Sequence, residues 1–293
     1  MNAFLKLHPI ILAFYFFTVI TVTMFFSSPV FLITSLLASI SVYCSLFGFL
    51  VFLKKSRNLA VIIILCTIIN PLFSKNGENV LLDFWRIKIT LQSLLFGLSF
   101  GIILVCSILW FLCLSKVITS EKMLYLFGKR MPRVALTISL SLRLIPDFFE
   151  KFRSTSQTQK ALGLYTQRGL KEQVKSASGI FLSVCSDALE NSAQTSDSMR
   201  ARGFGINKYA IYSKYRFYQH DLWVSSIIAL LVCCFVFGNI LGDTKFYYYP
   251  TLSPVSFNTY NILCYFCFGL IAFLPIIIKI KEDVKWKYLM LKI

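Results

Sequence analysis

Acidic residues are scarce in this chain: 13 Asp and Glu stand against 30 Lys and Arg in 293 residues. Charged residues of both signs reach only 15%, against roughly 25% in a soluble globular domain, while apolar residues reach 57%. That balance excludes an ordinary soluble domain. Histidine is nearly absent, with His8 and His220 alone, so no imidazole cluster is available for metal binding or proton transfer. No G-x4-G-K-[ST] run occurs, which excludes a phosphate loop and ATP hydrolysis by this chain. The nine cysteines lie mostly in apolar runs, and Cys264-x-x-Cys267 has no second pair. They read as buried thiols, with no metal site, cofactor site or catalytic residue to assign.

What the chain does have is apolar runs near or above the ~18–20 residues that cross a bilayer. Two such runs, 10–26 and 29–53, are separated by a Ser27-Ser28-Pro29 turn. A cleaved signal peptide would need a small-residue exit of the A-x-A kind, and none is present. The basic cluster Lys54-Lys55-x-Arg57 follows, then a short third run over 59–73, which Asn70-Pro71 is expected to break. Residues 74–90 are polar and mixed in charge, 91–114 forms a fourth run, and two more cover 222–241 and 262–280. The fold class is therefore an all-α integral membrane protein of about six transmembrane helices. Its divisions are N-terminal membrane helices over 1–115, a polar region over 116–221 and C-terminal membrane helices over 222–293.

The surplus of basic charge reports topology. Between Lys116 and Asp221 lie 17 Lys or Arg and 8 Asp or Glu, a net +9, and further lysines cluster after residue 278. Loops 74–90 and 243–261 are poorly basic, and the second carries Phe246, Tyr247, Tyr248, Tyr249 and Tyr260, aromatic residues suited to the headgroup level. Positive loops on the cytoplasmic side then place both termini and the whole 116–221 region in the cytoplasm. A nucleic-acid reading of the +17 net charge fails, because the charges follow the loops.

Within the polar region one pattern, E-x4-T-S-x3-[KR]-A-x-G, occurs twice. The first copy is Glu150, Thr155, Ser156, Lys160, Ala161, Gly163; the second is Glu190, Thr195, Ser196, Arg200, Ala201, Gly203, offset by 40 positions throughout. Helix is expected over 142–160 and 180–202. In the second, Asp187, Glu190, Asn191 and Gln194 share a polar face, and Phe181, Val184, Cys185 and Ala188 share an apolar one. Gly163 and Gly203 stand where a helix ends in a left-handed residue. Arg200 and Arg202 complement the negative end of the helix dipole. One such end is ordinary capping. Two at a fixed offset suggest a pair of equivalent docking points, and so a partner that is itself a dimer. Between them, residues 134–145 are apolar enough to press into lipid, as a re-entrant or half-inserted helix, although Arg143 interrupts them.

These residues resemble a family, the transmembrane (T) component of energy-coupling factor (ECF) transporters. The likeness is carried by Asn70-Pro71-Leu72-Phe73-Ser74, by Pro132-Arg133 with Ser139-Leu140-Ser141-Leu142-Arg143-Leu144-Ile145-Pro146, and by Asp197 to Gly205. It implies an ABC-type importer subunit in a prokaryotic cell membrane, partnered by two ATPases and a substrate-binding S subunit. Its long amphipathic helices would be cytoplasmic coupling helices, passing ATP-driven motion to the S subunit for vitamin or metal uptake. Ala201, Arg202 and Gly203 then form one ATPase-coupling tripeptide and Ala161, Leu162 and Gly163 the other, with Arg143, Pro146, Lys160 and Arg200 in support. The first tripeptide departs from the pattern, since Leu162 stands where the family carries arginine. Lys160 or Arg168 could supply the charge, or that end could dock by packing alone; asymmetric ends would suit two non-identical ATPases.

Two other classes compete. A self-sufficient permease or channel places ionisable residues within its spans. Here the runs 10–26, 30–53, 91–114 and 222–241 contain none, and 262–280 carries only Lys279 near its end. A membrane-embedded enzyme needs clustered carboxylates or histidines, and Asp187, Glu190 and Asp197 read instead as a solvated helix face.

Overall fold

The computed structural model describes residues 3–73, 80–84, 87–128, 131–163, 169–204, 206, 215, 217–242, 244, 246–249, 251–254 and 258–290. Two compact units divide the chain, Met1–Thr119 with Tyr215–Ile293 in one and Ser120–Lys214 in the other.

The first unit begins with α1 (Ala3–Lys6), α2 (Pro9–Phe25), α3 (Pro29–Phe47) and α4 (Phe49–Phe73). After α4 come β1 (Val80–Phe84) and β2 (Ile87–Thr90), then α5 (Leu91–Val117); α9 (Gln219–Leu241) and α10 (Thr259–Met290) complete it. The helices α3, α4, α5, α9 and α10 are long and apolar enough to cross a membrane. At 17 residues, α2 spans about 25 Å and falls at the short end of what a bilayer accepts. Prolines open α2 and α3, where the missing N–H costs nothing.

Two expectations about the third span are corrected. The break between α3 and α4 falls at Gly48, whose φ of 91° is a backbone state only glycine enters freely. Consequently Lys54, Lys55 and Arg57 ride on α4 itself, where a loop was expected. Asn70-Pro71 does not break the helix either: α4 continues through Pro71 to Phe73. A proline two residues from a helix end removes one bond and leaves little helix beyond to disturb. Residues 80–90 were read only as polar; there β1 and β2 pair antiparallel.

The core of this unit is held by shape and by a few buried hydrogen bonds. Trp110 Nε1 donates to Ser35 Oγ at 3.1 Å, and Ser35 Oγ lies 2.8 Å from Thr23 Oγ1, tying α5, α3 and α2 together. Tyr15, fully buried, donates its hydroxyl to Ala272 O of α10 at 3.1 Å, close to the Pro275 that lies within that helix. In the loop before α10, Tyr248 Oη donates to Ser27 O at 2.8 Å and accepts from Ser99 Oγ at 2.7 Å.

Two helix pairs approach closely through glycine. A Cβ on Gly97 of α5 would lie 2.9 Å from Cys66 O and from Asn70 Cβ of α4, and one on Gly101 would lie 3.0 Å from Ile63 Cα. Gly97-x-x-x-Gly101 thus forms a smooth strip on which α4 rests backbone to backbone, a packing mode suited to lipid, where apolar burial supplies no driving force. On α9, a Cβ on Gly238 would come within 2.7 Å of Cys264 Sγ of α10.

The second unit contains α6 (Ser120–Gly128), α7 (Pro132–Ala161) and α8 (Leu170–Ala201). Gly128 faces Ala135 and lets α6 lie against the first turns of α7. Burial pulls the Lys122 ammonium of α6 below its usual range. Both long helices exceed their expected length. The apolar stretch 134–145 forms the N-terminal half of α7, which passes through Pro146 without ending. Likewise α8 starts ten residues before position 180 and runs through Gly179, whose surroundings are open.

Candidate functional site: two matched helix ends

The candidate site is the pair of C-termini of α7 and α8. At 30 and 32 residues these helices are about 45 and 48 Å long. Each ends in the same three steps: alanine is the last helical residue, the next residue caps, and glycine turns left-handed. The caps are Leu162 and Arg202, and the glycine φ values are 76° at Gly163 and 80° at Gly203.

The hydrogen bonds repeat as well. Leu162 N–H donates to Thr158 O at 3.0 Å and Gly163 N–H to Lys160 O at 3.1 Å. In the second copy Arg202 N–H donates to Ser198 O at 3.1 Å and Gly203 N–H to Arg200 O at 2.9 Å. There Phe204 N–H closes the motif on Met199 O at 3.0 Å, which completes a Schellman cap. A Cβ on Gly203 would meet nothing nearer than Ile206 Cδ1 at 3.6 Å. Glycine is therefore required there by its dihedral, not by crowding.

The side chains differ where the backbones agree. Leu162 is 71% exposed, so an apolar residue stands in solvent at the first end. Arg202 is exposed at the second end, and its guanidinium makes no hydrogen bond or ion pair with a described residue. It borders a shallow depression of about 350 Å³ lined also by Asn191, Gln194, Thr195, Ser198 and Met199. These are neutral donors and acceptors around one uncompensated cation, an arrangement that fits a partner bringing carboxylates or backbone carbonyls. Arg200 is exposed on the last turn of α8, and Lys160 holds the matching place on α7. Arg143 and Pro146 are exposed halfway along α7. Arg168, an expected substitute for the missing charge, lies outside the described residues.

α7 is the packing partner of α8, and Lys151 Nζ meets Asp187 Oδ2 at 3.4 Å between them. Ile180 and Val184, one turn apart on the same side of α8 as Asp187, are buried. The expected apolar face of α8 is only partly covered, however. Cys185 and Ala188 are half-buried, but Phe181 is exposed, as are Leu182 and Leu189 on a neighbouring strip. A helix with one crossing partner buries one narrow stripe, and the rest of its apolar surface stays open. No group of three or more His, Cys, Asp or Glu that could hold a metal occurs among the described residues.

With these helices in view, the family comparison decides the assignment: the CbiQ family, described as cobalt transport protein, matches residues 5–211. The chain belongs to this family, the T components of ECF transporters. The match covers more than two thirds of the chain, includes both tripeptides and stops before α9. No curated protein matches the chain. It is thus a membrane component of a transport system, and its described residues are helical apart from one short hairpin. Gly97-x-x-x-Gly101 is the sequence signal that marks the α4–α5 contact.

Proposed function

We propose that the chain is the energy-coupling subunit of an ECF-type importer in a prokaryotic plasma membrane. Two ATPase subunits dock on the ends of α7 and α8, and a substrate-binding S subunit carries the cargo, a micronutrient such as a vitamin or the cobalt named in the family description. The observation that carries this reading is the repeated cap, with the same backbone at Ala161-Leu162-Gly163 and at Ala201-Arg202-Gly203. Two rigid rods with equivalent tips are what a pair of related ATPases can grip, and ATP-driven closure of that pair would move both rods.

Arg202 is the proposed pin. Its planar fork of donors can hold a carboxylate or backbone carbonyls in a groove, whereas Leu162 can contribute only apolar contact. The basic 116–221 region sets the direction, with both tips on the cytoplasmic side. Isolating the full chain from its native membrane and identifying the co-purifying subunits tests the assignment. Two ATPases with a small membrane protein are expected, together with ATP-dependent uptake in vesicles. A lone oligomer that transports without ATPases would replace this reading with a self-sufficient permease.

A further inference from the structure

Helices α9 and α10 touch closely at Gly238 and Cys264, but towards the start of α9 and the end of α10 a cleft of about 750 Å³ lies between them. Its wall changes character along one face of α10. Leu274 and Ile278 are followed at helical spacing by Lys281 and Lys285, with Trp286 beside them. Across the cleft α9 contributes Val224 and Leu231, and His220 stands at the same end as the lysines. The apolar wall from Leu270 to Ile278 is about 12 Å long, close to one leaflet of a bilayer whose hydrocarbon core is about 30 Å thick.

We infer that this cleft is a binding site for an anionic phospholipid. One acyl chain lies along the apolar walls, and the phosphate sits between Lys281, Lys285 and His220. Three observations favour this occupant over a partner helix. The two lysines lie one turn apart on one helix face, where like charges repel unless an anion sits between them. Neither forms an ion pair with a described carboxylate, and among the described residues the rim carries a single acid, Glu282. Trp286, 58% exposed and next to Lys285, is an anchor suited to headgroup depth. Basic pockets between spanning helices recognise acidic headgroups through this chemistry. The inference does not depend on the coupling role proposed above, and α9 and α10 lie outside the family match.

The test uses the full chain in vesicles carrying photoactivatable phosphatidylglycerol, or phosphatidylcholine with the same reactive acyl chain. Crosslinks mapped by mass spectrometry are expected on the facing sides of α9 and α10, several-fold stronger with the anionic lipid. Lys281→Gln with Lys285→Gln should lower labelling roughly fivefold per lysine removed. The Lys281→Arg with Lys285→Arg variant should retain it. Lys285 is exposed, so Lys285→Gln alone gives a folded variant if the double substitution does not. Equal labelling by the two lipids, or labelling indifferent to the lysines, would overturn the inference. So would competition by millimolar inorganic phosphate, which would indicate a free-anion site, or crosslinks recovered on a second protein.

Discussion

The two tips of α7 and α8 share a backbone and part company in their side chains. Both end at alanine, cap on the next residue and turn at a left-handed glycine, yet one presents an exposed leucine and the other an arginine with no ion pair among the described residues. The lesson is that two requirements are separable. A rod needs a defined end, which the glycine dihedral supplies at both tips. A grip needs chemistry, and at the capping position only the second tip carries charge.

The strongest way to break the comparison is Arg202→Ala. Removing a buried interfacial charge costs about 2–5 kcal/mol, so ATPase binding should weaken at least ~30-fold with the helix intact. Unchanged affinity in a binding titration, with unchanged ATP-driven uptake, would remove Arg202 from the role of pin. The converse substitution, Leu162→Arg, should make the tips alike. If an acceptor groove faces it, a charge-assisted bond adds about 1.5–3 kcal/mol and the first ATPase binds more tightly. No gain would mean that the first tip is read by apolar packing.

Smaller effects probe what the tips share. Gly163→Ala and Gly203→Ala each force a Cβ into left-handed backbone at about 1–2 kcal/mol, so thermal unfolding should shift similarly for both. A large loss at one tip alone would show that their caps are not equivalent. Smallest of all is Lys151→Ala at the α7–α8 crossing. That pair is 41% and 63% exposed, solvent screens it, and its removal should cost no more than about 1 kcal/mol in a denaturation curve.

Much of this architecture is legible in the sequence because membranes and helix ends obey local rules. Apolar runs mark spans, and a repeated K/R-A-x-G marks two left-handed caps. Boundaries set by single dihedrals are harder to read. Hydropathy blends Phe47, Gly48 and Phe49 into one run, whereas the chain turns at Gly48 and carries its basic cluster onto α4. Neither the Pro71 at the end of α4 nor the Pro146 inside α7 stops its helix, because the remaining turns outweigh one lost bond. The exposure of Phe181 was illegible for a different reason. Periodicity tells which residues share a face, but not how many neighbours arrive to cover it.

The strip Gly97-x-x-x-Gly101 has a consequence in time. α4 and α5 are consecutive spans and need no later part of the chain to complete their backbone contact. The surfaces that α9 covers must wait for the residues from Val117 to Leu241 to be made, roughly 6–25 s at ~5–20 residues per second. During that interval Phe31 has its edge-on neighbour Phe26 but lacks Phe235, which finally packs edge-on against it. Assembly of the membrane unit is thus expected to proceed from a glycine-zipped pair outwards, with the last two helices arriving on a platform already in place.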